Sequence, residues 1–484
     1  MAKKIMIVFG TRPEVIKLAP VIKALQETAA NQGENSFRQK EAKGKCEKQE
    51  KLRPVLCFTG QHREMVEPFL KFFRLKPDYD LKVMKENQDL SGLTSRLITR
   101  LNKVLKAEKP DWLLVQGDTT SAMVAALVAF YQKIKIGHVE AGLRTDDKYN
   151  PFPEEINRRL ISHLTDLHFA PTERARENLL KEGIEETRIF VTGNTVVDAL
   201  KLILKRTEGK EWFKNLKLIE ENRIRQKENL TGVGRKEKKI AEEKVAESES
   251  QRRFYSGHSS ERIGPETRED EKIQKLKELK AAIFRNKVKE GGRSGKNGRS
   301  VGVGRTGRNN RRKKLILVTA HRRESFGKGM EEICRAILQI VEKVAEAEVV
   351  FPVHLNPNVR KVVRRYLAGR DRIYLLEPVD YFTFVQLMKR SSLILTDSGG
   401  IQEEAPSLGV PVVVMREVTE RPEAVEAGVA WISGTRAENI VRLTLKLLQE
   451  VEKTEERKLR SSLRRKNPFG DGRASWRIVR ALKK

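Results

Sequence analysis

Ile5-Met6-Ile7-Val8-Phe9-Gly10-Thr11-Arg12-Pro13-Glu14 runs five apolar residues in succession into a glycine and then a polar turn. A short, continuous apolar run predicts a strand buried on both faces, as in a parallel sheet. Pro13 suits the first turn of a following helix, where its missing N–H costs nothing. The same unit recurs outward along the chain. Further Val/Ile/Leu-rich runs fall at 55–59, 112–115 and 134–139, then at 315–319, 349–353, 393–396 and 410–415, each followed by a helix-length amphipathic stretch. Strands alternating with helices imply an α/β fold. The expected architecture is two Rossmann-like parallel-sheet domains with an interdomain cleft. Their join is expected after Phe190-Val191-Thr192-Gly193-Asn194, with a hinge near Gly193, because Gly and Asn interrupt the apolar run there.

The chain has 484 residues and a net charge of +31, but the excess is uneven. Roughly half of it falls within 205–314, where charged residues, Gly and Ser dominate and apolar periodicity fades. That stretch, bounded at about 205–313, reads as a basic and flexible insertion. Residues 29–51 read as a shorter one. A nucleic-acid partner is expected, if at all, only through the basic insertion, since aromatic interleaving and recognised binding motifs are missing. No apolar run approaches membrane-spanning length, and Met1-Ala2-Lys3-Lys4 leads into the first strand without a cleavage-type segment. The expected compartment is the cytoplasm. Cys46, Cys57 and Cys334 are too few and too scattered for a disulfide framework or a zinc site, and suit small buried filler. No metal is expected.

Polar chemistry follows the strands: Gly117-Asp118-Thr119-Thr120, Glu140-Ala141-Gly142-Leu143-Arg144, His321-Arg322-Arg323-Glu324 and Asp397-Ser398-Gly399-Gly400. Ligands of open α/β sheets lie outside the carboxyl ends of the strands. Each string alone is equally a turn or a helix cap; the succession of them favours a site. Ser398-Gly399-Gly400, between a strand and a helix, lets backbone N–H groups and the helix dipole meet a phosphate. Arg12, Arg421 and Lys17 are candidates for the diphosphate, although a surface salt bridge is the ordinary role of such residues. The first loop lacks the spaced glycines of a dinucleotide fingerprint, and no Walker loop occurs, so the expected ligand is a sugar nucleotide and no cofactor is expected.

These strings resemble the signature loops of the non-hydrolysing UDP-N-acetylglucosamine 2-epimerases. So do Gln61-His62-Arg63-Glu64-Met65, Pro153-Glu154-Glu155-Ile156-Asn157-Arg158, Pro352 through Asn358, Glu420-Arg421-Pro422-Glu423 and Asn467-Pro468-Phe469-Gly470-Asp471-Gly472. The resemblance spans nearly all of the chain outside the two insertions. It implies the GT-B architecture, with residues 1–193 and about 467–484 in the N-terminal domain and 194–466 in the nucleotide-binding one. It also implies UDP-N-acetylglucosamine and UDP as ligands and a homodimer.

The implied reaction has its own chemical logic. C2 of an N-acetylglucosamine unit has no adjacent carbonyl, so simple deprotonation would leave an unstabilised carbanion. Loss of UDP from C1 together with the C2 proton gives a glycal, and re-addition on the other face inverts C2. That route needs carboxylates near C2 and C3, a grip on the departing diphosphate and a dry site. By resemblance the carboxylates are Asp118, Glu140 and Glu154, with His321 near the sugar and diphosphate. An ion pair of Glu154 with Arg158 or Arg159 on one helix face is the alternative for that residue. Resemblance also assigns Arg12, Lys17, Ser398, Gly399, Gly400, Glu404 and Arg421 to the nucleotide, Phe384 to packing on uracil and Val379 to a backbone contact with the base. A second, regulatory UDP-N-acetylglucosamine is implied at Gln61, His62, Arg63, Glu64 and Met65 together with Arg322 and Arg323. A GT-B glycosyltransferase or a hydrolysing epimerase is the enzymatic alternative; a nucleic-acid-binding protein is the other.

Overall fold

The computed structural model describes residues 2–38, 51–85, 89–207 and 313–483. Most of both expected insertions, and Cys46, lie outside the described residues. Two compact units emerge from the internal contacts: Met1–Arg206 with Glu420–Val429 and Ser461–Lys484, and Thr207–Thr419 with Ala430–Arg460. Both are parallel-sheet α/β units. Among the described residues no helix is long and apolar enough to cross a membrane.

Unit 1 holds a seven-stranded sheet in the order β3-β2-β1-β4-β5-β6-β7. Its strands are β1 (Lys3–Phe9), β2 (Leu52–Phe58), β3 (Tyr79–Asp80), β4 (Trp112–Gln116), β5 (Lys135–Val139), β6 (Leu167–Ala170) and β7 (Ile189–Val191). Every pairing among them is parallel. Ile5 through Phe9 are fully buried, as the opening apolar run requires. The helices are α1 (Arg12–Arg38), α2 (Arg63–Phe73), α3 (Leu90–Glu108), α4 (Thr120–Tyr131), α5 (Glu154–Leu164), α6 (Glu173–Lys181) and α7 (Thr195–Thr207). In α3, Leu93, Leu97, Leu101 and Leu105 repeat every fourth residue and are buried, while the Asp89 carboxylate accepts from the Gly92 N–H and caps the start. Cutting one of those fully buried leucines to Ala would cost about 2–5 kcal/mol.

Unit 2 holds a six-stranded sheet in the order β10-β9-β8-β11-β12-β13. Its strands are β8 (Lys314–Thr319), β9 (Ala347–Pro352), β10 (Ile373–Leu376), β11 (Leu393–Thr396), β12 (Val412–Val414) and β13 (Ala430–Ile432), again parallel throughout. Around it lie α8 (Lys328–Lys343), α9 (Pro357–Leu367), α10 (Tyr381–Arg390) and α11 (Gly399–Ser407); α12 (Pro422–Glu426) belongs to unit 1, and α13 (Ala437–Lys453) to unit 2. After α14 (Glu456–Lys466) the chain ends in α15 (Ala474–Leu482), in unit 1.

Three boundaries differ from the sequence reading. The first helix runs to Arg38, past the insertion start read at residue 29, because composition registers the loss of apolar residues and a helix needs only its backbone bonds to continue. The second difference is the join: the units divide at Arg206 and Thr207, not at Gly193, and α7 belongs to unit 1 up to Arg206. Asp198 on α7 caps α15 by accepting from the N–H groups of Ala474 (3.2 Å) and Ser475 (3.0 Å) and from the Ser475 hydroxyl (2.6 Å). Gly193 serves close packing, since a Cβ there would lie 3.2 Å from the Cα of Gly470 and its φ is +86°. Third, Glu420–Val429, with Arg421, groups with unit 1 although the sequence reading put it in the second domain. Thr172 Oγ1 donates to Glu423 at 3.0 Å, and Arg174 pairs with Glu426 at 3.2 Å, which holds that segment to the start of α6.

Candidate active site

In each sheet the strand order turns back on itself once, between β1 and β4 and between β8 and β11. Loops leaving two such neighbours diverge to opposite faces and leave a crevice at their carboxyl ends. Several of the candidate residues stand in the loops that follow those four strands.

At the unit 1 switch point, Gly10 allows the first loop to lie against the end of β2: a Cβ there would sit 2.1 Å from Thr59 Oγ1. Arg12 is exposed at the start of α1. One turn on, Lys17 Nζ reaches both carboxylate oxygens of Glu140, at 2.6 and 2.5 Å. Glu140 follows β5 with a φ of +66° and is buried, and it also accepts from Gln116 Nε2 and, at 3.5 Å, from Asn194 Nδ2. A left-handed conformation is strained for a residue with a side chain, so the surrounding bonds fix Glu140 in place.

Asp118, after β4, is held from α5. Arg158 donates through Nε (2.8 Å) and Nη2 (2.7 Å) to Asp118 Oδ2, and Asn157 Nδ2 donates to the Asp118 carbonyl at 2.9 Å. Arg158 also pairs with the fully buried Glu155 at 3.1 Å. Arg159 pairs with Glu155, Glu182 and Asp146. The alternative reading of Glu154 as their ion-pair partner therefore fails: adjacent Glu155 faces the arginines. Glu154 Oε2 is instead buried without a hydrogen-bond donor. An unpaired buried oxygen is costly, and such atoms concentrate where a ligand supplies the partner.

The string 61–65 begins beside this switch point. Gln61 Oε1 accepts from Ser121 Oγ at 2.8 Å, and the His62 N–H donates to the Gly10 carbonyl at 3.1 Å. Arg63 pairs with Asp80 (2.5 Å) and lies 5.3 Å from the centre of the Phe58 ring, while Glu64 and Met65 are exposed.

At the unit 2 switch point a single carboxylate organises the loops. Asp397 is fully buried, and its Oδ2 accepts from the N–H groups of His321 and Arg322, both at 2.8 Å. Its Oδ1 lies 3.3 Å from His321 Nδ1. The His321 ring stacks on His354 with centroids 5.5 Å apart. Burial pushes the His321 imidazole below its ordinary pKa against the pull of Asp397, and neighbouring His354 and Arg322 push the same way as burial. Thr396 Oγ1 accepts from the Ser398 N–H at 3.0 Å, and α11 starts at Gly399 with Ser398 at its N-cap. A Cβ on Gly400 would have only Glu404 Oε1 near it, at 3.9 Å, so that surface is open. Glu404 lies one turn further into α11 and is half-buried. Phe384, also half-buried, sits in the first turn of α10, whose cap is Asp380, with Val379 just ahead of it. Arg322 is half-buried and Arg323 exposed.

Unit 1 thus groups Arg12, Lys17, Asp118, Glu140, Glu154, Arg421 and the 61–65 string, and unit 2 groups His321, Arg322, Arg323, Val379, Phe384, Ser398, Gly399, Gly400 and Glu404. Sequence reasoning passed over Asp397, Arg158, Glu14 and Gln116 as functional residues. The first three stand inside the quoted strings, so their location was visible; their partners depend on side-chain directions that spacing does not give.

Parallel sheets with polar groups at their switch points place the chain among the ligand-binding α/β proteins, and comparison with known proteins narrows the class. The family model described as UDP-N-acetylglucosamine 2-epimerase matches residues 44–233 and 248–483. A UDP-N-acetylglucosamine 2-epimerase of Campylobacter jejuni is 41% identical over 482 residues, covering 100% of this chain and 98% of the relative. Among solved structures, a UDP-N-acetylglucosamine 2-epimerase has a TM-score of 0.67 at 35% identity, covering 100% of this chain and 96% of its own. The Neisseria meningitidis UDP-GlcNAc 2-epimerase bound to UDP-GlcNAc has a TM-score of 0.64 at 37% identity, covering 99% of each chain. The chain belongs to the UDP-N-acetylglucosamine 2-epimerase family, a family of isomerases with the GT-B fold.

Proposed function

We propose that the chain reversibly converts UDP-N-acetylglucosamine to UDP-N-acetylmannosamine without net hydrolysis. In the forward direction a unit 1 carboxylate takes the C2 proton, the C2–H electrons form the C1–C2 double bond, and the C1–O electrons leave with UDP. UDP oxygen then adds back to C1 as a proton reaches the opposite face of C2. Unit 2 receives the nucleotide: N–H groups at the start of α11 and His321 stabilise the departing diphosphate, Glu404 accepts from the ribose hydroxyls and Phe384 packs on uracil. Arg12 and Arg421 add cationic contacts.

The observation that carries this reading is the difference among the three carboxylates. Glu140 is bound by Lys17, Asp118 by Arg158, and Glu154 keeps a buried oxygen with no donor. Elimination and re-addition need groups that differ in this way, because one must accept a proton while another delivers one. The solved Neisseria meningitidis relative bound to UDP-GlcNAc supports the substrate. Product would supply N-acetylmannosamine units to cell-surface polysaccharide. A second substrate molecule would activate turnover, which a hyperbolic, UDP-insensitive rate curve would refute.

The test is incubation of pure protein with UDP-N-acetylglucosamine alone. UDP-N-acetylmannosamine accumulating to a fixed ratio is expected; stoichiometric free sugar and UDP would make the chain a hydrolase, and no change without an added acceptor would favour a glycosyltransferase.

A further inference from the structure

Glu14 is 1% exposed and its carboxylate takes hydrogen bonds from four neutral donors. Oε2 accepts from the N–H groups of Gly10 (2.9 Å) and Thr11 (2.7 Å) and from Thr11 Oγ1 (2.9 Å). Oε1 accepts from Thr119 Oγ1 at 2.7 Å, more than a hundred residues away in the chain. The Oε2 bonds have a local explanation. Thr11 and Glu14 stand three apart at the start of α1, the spacing of a capping box. The Oε1 bond does not, because a capping box ends at its own helix.

Thr119 gives that bond its direction. Its hydroxyl oxygen also accepts from the Ala122 N–H at 3.0 Å, which caps α4, and the residue before it is Asp118. One buried carboxylate therefore joins the loop that carries Arg12 to the turn that carries Asp118. Burial without a cation raises the Glu14 carboxyl above the usual carboxylate range, although all four hydrogen bonds oppose the shift. Such a group is retained at a cost to stability, and a cap alone would be served by an exposed side chain.

We propose that Glu14 is a positioning residue for the epimerisation: acting through Thr119, it holds the Asp118 turn in register with the Arg12 loop. The assignment rests on the proposed roles of Asp118 and Arg12, so it needs one readout that is independent of turnover. Amide hydrogen exchange on the full-length chain provides it. Glu14→Gln should speed exchange in both 10–14 and 117–122. Thr119→Ala should speed exchange in 10–14 as well, and Thr119→Ser, which keeps the hydroxyl, should restore it. Changes confined to 10–14 in Glu14→Gln, or to 117–122 in Thr119→Ala, reduce the two residues to separate helix caps and overturn the proposal. In turnover, Thr119→Ala should lower kcat about 10-fold with KM for UDP-N-acetylglucosamine within about 2-fold, as expected for a misplaced reacting group. Thr119→Ser should recover most of it. Wild-type kcat in folded Thr119→Ala also overturns the proposal. If the wild-type chain converts no UDP-N-acetylglucosamine, the proposed reaction falls and the exchange experiment still decides the link.

Discussion

The two switch points use opposite chemistry. In unit 1 the carboxyl ends of the strands present charged side chains, two of them braced: Glu140 by Lys17 and Gln116, Asp118 by Arg158 and Asn157. In unit 2 the loops present backbone N–H groups and glycines beside His321, and the buried Asp397 fixes the His321–Arg322 backbone. A group that moves a proton has to be a side chain aimed to within a fraction of an ångström, and a charged side chain holds its aim only through partners. A diphosphate can be gripped by backbone N–H groups and a helix dipole, which the fold positions already. In the proposed reaction, unit 1 would accordingly carry the reacting chemistry and unit 2 the leaving group.

That division can be broken most sharply at Glu140. Glu140→Gln keeps the size of the side chain and removes its charge and basicity. Loss of about 10³-fold in kcat is expected, within the range for a displaced acid or base, with UDP affinity within about 3-fold of wild type. A parallel loss of UDP binding, read by calorimetry, would merge the two roles.

Acid should separate the units next. His138 and His168 face one another across β5 and β6, fully buried. Burial lowers their pKa values from 6.5 to about 4 and about 3; the Gly117 carbonyl opposes the shift at His138, and the charge of His138 adds to it at His168. Below pH 6.5 the unfolded chain binds protons that the folded imidazoles refuse. Stability is thus fully present above pH 6.5 and is lost as pH falls toward 4, by up to about 1.4 kcal/mol per pH unit for each histidine. Urea unfolding followed separately in each unit should show unit 1 weakening more steeply between pH 6.5 and 5 than unit 2, where, among the described residues, His321 alone adds a shift of the same sign; replacement of either unit 1 histidine by Gln should flatten the unit 1 dependence.

Two glycines sharpen the contrast further. Gly10→Ala would press on Thr59 and should cost about 1–3 kcal/mol of stability, seen as a lower Tm. Gly400→Ala meets open space in a helix, where Ala is favoured over Gly by about 1 kcal/mol, so Tm should hold or rise. Its added methyl should nevertheless weaken UDP binding a few-fold, because it stands where backbone is to approach phosphate. Unchanged UDP affinity in Gly400→Ala would remove this loop from the diphosphate site.

The same contrast explains what could be read from the chain. Strands such as β1, β4, β8 and β11 announce themselves as apolar runs, because a strand in the middle of a parallel sheet is buried on both faces. β6 was not expected, since His168 interrupts its apolar run, and β3 has only two residues. In unit 2 the Ser398-Gly399-Gly400 turn could be read as a fixed offset from β11, whereas the bonds from buried Asp397 to the His321 loop could not. In unit 1 the strings were visible and their pairing was not. Glu154 and Glu155 are neighbours on one helix, yet Glu155 pairs with arginines while Glu154 keeps a buried oxygen with no donor, a difference set by which way α5 turns its faces. Likewise, no spacing rule predicts that Glu14 reaches Thr119, since that bond depends on how the β1 and β4 loops converge.

The central claim is that a unit 1 carboxylate removes the proton at C2 while UDP departs. Turnover in deuterium oxide measures it directly. UDP-N-acetylglucosamine and UDP-N-acetylmannosamine recovered at equilibrium should both carry one deuterium at C2, and protein with Glu140→Gln should insert it about 10³-fold more slowly. Epimerised product that keeps its original hydrogen at C2 would contradict the account.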